Sequence, residues 1–278
     1  MQIQTAKEPL SNTQANIYVR KELNEPIIYY AAGATAFQID FMLFIIYQFG
    51  KIARDCDRLG QIKSIEKFRF KTNKRGLINF IKHYDTADEE RQEKAIDKTI
   101  KEVLCVMYIE NNKDFIEGFQ LLSKAKYEKK DKTLEFWINP SALEYFIELQ
   151  KNGKWFYTQL NFNEANILKS KYAKILYLIL NKEEYKKGLT IDYNELKKAF
   201  GNENVRSDYF KRIMLNPAVK ELKQIDKFLA LSYEYHYKNK PIGQKGGKMI
   251  DSITFEWNYK QLEIFELPNY AEIQSGRH

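Results

Sequence analysis

Cysteine is scarce in this 278-residue chain: Cys56 and Cys105 are the only two, and no CxxC pair occurs. That excludes a disulfide framework and leaves a structural zinc site without its ligand spacing. Two isolated thiols suit a reducing compartment. Histidine is little richer. His83, His236 and His278 lie far apart and form neither HxH nor HExxH, which argues against a histidine-held catalytic metal. There is no GxxxxGKS/T and no GxSxG, hence no P-loop and no nucleophile elbow. With 12 glycines and 6 prolines the chain is neither collagen-like nor of low complexity. No catalytic residue, metal or cofactor is assigned.

A long apolar run is missing too. Ile27 to Phe49 comes nearest, but Gln38 and Asp40 interrupt it, and an aspartate at the centre of a spanning helix costs about 3 kcal/mol. The run reads as a buried core helix. The opening MQIQTAKEPLSNTQ lacks the apolar core of a signal peptide. A cytoplasmic protein without membrane attachment is expected.

What is present is 44% apolar residues, 14% aromatics, and 45 Lys and Arg against 37 Asp and Glu, a formal charge of +8. The apolar content supports a folded chain, and the length fits about two domains. The cationic surplus admits an anionic partner without choosing among nucleic acid, membrane surface and simple solubility.

Residues 1–33 are polar and broken by Pro9 and Pro26, and read as an N-terminal arm. Residues 34–158 then present a helix over 34–53, a helix from Gly76 to His83, and a helix capped by Thr86 with Ile96, Ile100, Val103 and Leu104 on one stripe. Strands from Phe119 to Lys126 and Thr133 to Asn139 follow, and Pro140 opens a helix from Ser141 to Gln150. Residues 159–265 repeat the order. Lys169 to Leu180 is a helix with Tyr172, Ile175, Leu176 and Ile179 on one face; Asn194 to Phe200 and about 206–223 are two more; Phe228 to Tyr237 and Met249 to Trp257 are strands. A tail over 266–278 closes the chain.

The second strands of the two halves match. Leu134, Phe136 and Ile138 alternate inward in one, as do Ile253, Phe255 and Trp257 in the other. Three helices and a two-stranded ribbon, twice over, predict an α+β fold of two tandem winged-helix domains, each a helix-turn-helix with a β wing. A twinned module of this kind should not share a single undivided core.

In a helix-turn-helix the second helix enters the major groove by its N-terminal residues. In the second copy these include Arg206, Ser207, Lys211 and Arg212, with Phe210, Ile213 and Met214 assigned to the core. Asp208 would repel phosphate or must accept from a cytosine amino group. Pro217 implies either a kink or a new turn capped by Asn216. The wing, His236 to Lys248, holds four lysines and no acid. Its Lys238, Asn239, Lys240, Gln244, Lys245 and Lys248 are candidates for phosphate or minor groove. From Val205 to Lys260 eleven basic side chains face six acidic ones, so this fifth of the chain carries most of the net charge. Tyr233, Tyr235 and Tyr237 are read as core or half-buried strand residues.

The first copy differs. Its equivalent helix opens on Asp88, Glu89 and Glu90, which phosphate disfavours. A DNA contact there falls to the wing lysines Lys126, Lys129, Lys130 and Lys132, and the apolar surface is open to dimer contact.

Four segments carry a family resemblance: Leu134-Glu-Phe-Trp-Ile-Asn-Pro140 with Tyr145-Phe-Ile-Glu-Leu149; Trp155-Phe-Tyr-Thr-Gln-Leu160; Lys169 to Leu180; and Tyr209-Phe-Lys-Arg-Ile-Met-Leu-Asn-Pro-Ala-Val-Lys-Glu-Leu222. In order and spacing they resemble the double winged-helix initiator replication proteins of iteron-containing, theta-replicating plasmids, over about residues 34–260. One departure is Ile175, where the family commonly has arginine before a Leu-Tyr pair. The resemblance implies a non-enzymatic protein that binds direct repeats at an origin, helps open adjacent AT-rich DNA and recruits the host initiator and replicative helicase. It also implies monomers on the repeats and dimers that repress their own promoter. Two other readings use the same residues: a winged-helix regulator or segregation protein without origin firing, and a nicking enzyme using one of the 19 tyrosines.

Overall fold

The computed structural model describes residues 16–20, 24–58, 69–81, 87–103, 107–111, 116–139, 142, 150–151, 154–155, 157–183, 186, 188–239 and 248–257. In the first half, β1 (Asn16–Arg20), α1 (Asn24–Gly33) and α2 (Ala36–Arg58) precede β2 (Arg69–Asn73), α3 (Lys74–Phe80) and α4 (Glu89–Val103). A hairpin of β3 (Met107–Asn111) and β4 (Ile116–Gln120) leads to β5 (Leu122–Glu128) and β6 (Thr133–Ile138). The short β7 (Gln150–Lys151), β8 (Lys154–Trp155) and β9 (Tyr157–Asn161) form the link. The second half comprises α5 (Phe162–Ile167), α6 (Lys171–Lys182), β10 (Gly188–Asp192), α7 (Tyr193–Ala199), a long helix α8 starting at Ser207, and β11 (Ser232–Lys238) with β12 (Met249–Glu256).

The two halves build the same sheet. One has strand order β2-β6-β5, the other β10-β12-β11, all antiparallel, and in each the last strand is central. Leu134, Phe136 and Ile138 on β6, and Ile253 and Phe255 on β12 with Trp257 just beyond it, are all buried, as the alternation predicts. Each sheet has a third strand, β2 or β10, running straight into the next helix. Asn73 and Asp192, the last residues of those strands, accept from the first free N–H groups of α3 and α7 and so cap them. The α4 cap is Asp88, whose Oδ1 accepts from Arg91 N at 2.8 Å. Thr86, predicted in that role, lies outside the described residues, as do Ser141 and the 266–278 tail.

Two expectations are corrected. Residues 24–33 are not a detached arm: they form α1, with Ile27 and Ala31 buried against α6 and α7 of the second half. Pro26 stands in the first turn of α1, where its missing N–H costs no helix bond. Nor are there two separate cores. The buried apolar residues of both halves form one continuous cluster. The reason is visible in α2 and α6. From Phe37 to Phe49 α2 is buried save for half-buried Gln48, and α6 is buried from Ala173 to Leu178. Helices apolar all round must be covered on all sides, and these two cover one another. The ring of Tyr47 on α2 meets that of Phe162 on α5 at 5.0 Å, and Lys174 on α6 pairs with Asp40 on α2 inside the interface.

Among the described residues no helix is long and apolar enough to cross a membrane, and no three His, Cys, Asp or Glu side chains converge on a metal-sized space.

Candidate nucleic-acid interface

The predicted groove-reading helix is real but internally irregular. α8 runs without a break through Ser207–Tyr209 as α-helix, Phe210–Leu215 as π-helix and Asn216–Leu222 as α-helix. Pro217 explains the change of pitch. A proline inside a helix has no N–H to donate, and its ring crowds the carbonyl four residues back, here that of Ile213. Widening one turn to i→i+5 bonding relieves that crowding. Asn216 N–H accordingly donates to the Lys211 carbonyl. Asn216 itself is helical (φ −59°, ψ −46°), so the helix is neither capped anew at Asn216 nor ended before Pro217.

The wide turn also moves side chains. Core residues become Phe210, Met214, Leu215, Ala218, Val219 and Leu222. Ile213, assigned to the core, is 43% exposed, and Tyr209 one turn before it is 45% exposed. This is a correction with a local cause: the normal i, i+3, i+4 spacing is stretched to i, i+4, i+5 in that turn.

Three contacts fix α8 against the rest of its half. Glu221 Oε2, near its C-terminal end, accepts from Lys169 N at 2.8 Å and Ser170 N at 3.1 Å. A carboxylate thus sits at the N-terminus of α6, where the helix dipole favours it. Near its middle, Asn216 accepts from the Tyr233 hydroxyl on β11. Lys211 Nζ lies 5.4 Å from the centre of the Tyr235 ring, within cation–π range. Helix and wing strand therefore form one surface.

On that surface Arg206, Ser207, Lys211 and Arg212 are all exposed. Asp208 has a partner in Arg206, Nε to Oδ1 at 3.3 Å. The pair is open to solvent, and such pairs are weak, so a phosphate can displace it. Of the wing candidates, Lys238, Asn239 and Lys248 are exposed, while Lys240, Gln244 and Lys245 lie outside the described residues. Lys238 is paired with Asp251 on β12, whose hydrogen bond and charge raise its pKa. That carboxylate was not anticipated. The strands are antiparallel with Lys238 opposite Met249, so Asp251 is its diagonal neighbour, a distance that long side chains bridge. Tyr237, expected to be covered, is 56% exposed; Tyr233 and Tyr235 are half-buried.

The first-domain wing looks different at close range. Lys129 pairs with Asp97 and Lys132 with Glu89, both on α4, while Lys126 pairs with Glu128 at 2.7 Å. In each case the hydrogen bond from the lysine is the main reason its own pKa rises and, for Glu89 and Glu128, that the carboxyl pKa falls. Glu89 also faces Lys74 Nζ at 3.5 Å. Lys130 is exposed at the turn. Glu89 and Asp97 on α4, with Glu128 on β5, thus neutralise three of the four wing lysines.

Family comparison matches residues 24–181 to the initiator replication protein first winged helix and residues 192–257 to the initiator Rep protein second winged helix. The chain belongs to the initiator replication protein family. Among solved structures, the chain is similar to the Pi initiator protein in complex with iteron DNA. It aligns with a TM-score of 0.61 at 17% identity, over 89% of this chain and 98% of that one, and shares the fold. Domains 2 and 3 of RctB align with a TM-score of 0.41 at 12% identity, over 70% of this chain and 77% of that one. A search of curated proteins finds no match. The first match takes in the β2-β6-β5 sheet and runs on through α5 and nearly all of α6, while the second spans α7 to β12.

Proposed function

We propose that this chain is a plasmid replication initiator that binds direct repeats of duplex DNA at the origin, with its second winged helix as the sequence-reading half. The observation that carries the reading is the outer face of α8. There Arg206, Ser207, Lys211 and Arg212 stand exposed beside a wing, in a chain of the initiator family. The likeness to an initiator solved with iteron DNA supports the same reading. Cationic donors on the first turns of a groove-sized helix suit phosphate and guanine edges.

The first domain has a lesser DNA role in this proposal. Its wing lysines are largely committed to acids on α4 and β5, so its backbone contact is secondary, and self-association into a dimer falls to this half. The protein acts by binding rather than by bond cleavage. It promotes opening of adjacent AT-rich DNA and recruits the host initiator and replicative helicase, all in the cytoplasm.

The test is genetic and physical. A small plasmid carrying the DNA that flanks this gene should replicate only when the chain is supplied. Replication should fail with Lys211→Glu and Arg212→Glu together, under conditions where the variant is folded. A regulator or segregation protein would leave replication intact. In vitro, neutralising six to ten phosphates should cost about 10³ to 10⁵ in affinity between about 50 and 200 mM salt.

A further inference from the structure

Five large apolar side chains are conspicuously exposed among the described residues: Ile167, Tyr209, Ile213, Leu229 and Tyr237. Single exposed apolar residues are ordinary. Tyr209 and Ile213 are different because they stand four residues apart on one helix, and that helix is α8. Lys211 and Arg212 on the same helix and Arg206 just before it are exposed as well.

The exposure of Ile213 has a specific structural origin. With regular α-helical pitch, residues 210, 213, 214 and 217 fall on one face, and Ile213 would join Phe210 and Met214 in the core. The wide turn over Phe210–Leu215 brings Leu215 inward instead and leaves Ile213 outside. The backbone irregularity at Pro217 therefore leaves a branched apolar side chain exposed next to Arg212 in the chain, on a helix whose exposed cations suit a charged ligand.

In the major groove one apolar feature marks sequence: the C5 methyl group of thymine, which apolar side chains read by contact. We infer that Ile213, extended by Tyr209, is a specificity-determining contact to thymine methyl groups in the bound repeat. This rests on the reading of α8 as the groove-reading helix. The flanking cations supply affinity for any duplex, while the apolar pair distinguishes thymine from cytosine and from a thymine lacking its methyl group.

The test uses the full-length chain and duplexes that it enriches from a randomised pool. Each enriched duplex is resynthesised with deoxyuridine at one thymine at a time, which removes a methyl group and leaves base pairing unchanged. At one or two positions binding should weaken roughly fourfold, the worth of one buried carbon at about 0.8 kcal/mol. With Ile213→Ala the thymine and deoxyuridine duplexes at one of those positions should bind equally, with salt dependence unchanged. Tyr209→Ala should flatten a second position or reduce the first.

If duplexes are enriched but no thymine methyl matters, or Ile213→Ala keeps the full discrimination, the inference is overturned and the groove reading stands. A change in self-association with discrimination intact overturns it in favour of a protein contact. If no duplex is enriched, the groove-reading assignment fails and takes this inference with it.

Discussion

Lys174 Nζ lies 2.6 Å from Asp40 Oδ1, with the two side chains 1% and 0% exposed. The first lies on α6 and the second on α2, so a fully buried ion pair ties together two helices far apart in the chain. Lys174 also donates to the Ala165 carbonyl at 3.0 Å. Two charges removed from water recover their desolvation cost only in each other's company. Sliding one helix over the other would strand both, which makes the pair a register pin for α2 and α6.

Breaking that pin should be costly and mending it with apolar groups should not. Lys174→Met or Asp40→Leu alone is expected to destabilise the chain by about 3–5 kcal/mol, while the two combined should recover most of the loss. Urea unfolding of the four proteins gives the cycle directly. Equal and additive losses would mean the pair is not coupled.

Gly201 offers a second check on how α1 packs against the end of α7. Its φ is +72°, and a Cβ there would overlap the Ala32 carbonyl at the end of α1, to which Lys171 Nζ also donates at 3.3 Å. Gly201→Ala should lose about 1–2 kcal/mol from the left-handed backbone alone. It should also loosen α1, read as faster proteolysis within residues 24–33. A neutral substitution with α1 still protected would contradict this packing.

Glu221 joins the far end of α8 to the start of α6. Glu221→Ala should cost about 1–2 kcal/mol, as loss of a helix cap does, and Glu221→Gln should cost less because an acceptor oxygen remains. Thermal unfolding measures both. The same losses in both variants would show that the contact carries no cap.

Asp251 restrains the wing. Asp251→Asn releases Lys238 from its carboxylate partner, so affinity for all duplexes should rise together and the salt slope should steepen by about one unit. Fluorescence anisotropy over a salt series reads both quantities. A drop in affinity would mean Asp251 contacts the DNA or holds the wing in shape.

Much of this architecture was legible in the chain because short-range rules governed it. The period-two burial of Leu134, Phe136 and Ile138 needed only alternation, and α6 was recognisable from its apolar density. Long-range facts were less accessible. Pro26 looked like a breaker and is a helix-opening proline. The second face of α6, including buried Lys174, made sense only with α1 and α2 against it. At the site, Ser207, Lys211 and Arg212 on α8 and Arg206 just before it are exposed, but Ile213 was misplaced because the periodicity assumed uniform pitch. The usable signal was Pro217, four residues on. The carboxylates that quiet Lys238, Lys129 and Lys132 depend on strand register and on the packing of α4, neither of which local spacing encodes.

The central claim is that α8 and its wing read repeated duplex sequence. Footprinting of the full-length chain on the DNA flanking its own gene tests it most directly. The account predicts protection of several tandem direct repeats in one orientation, spaced by about two helical turns, and loss of that pattern with Lys211→Glu and Arg212→Glu together. Uniform protection without regard to sequence, or the same footprint from the charge-reversed protein, would contradict it.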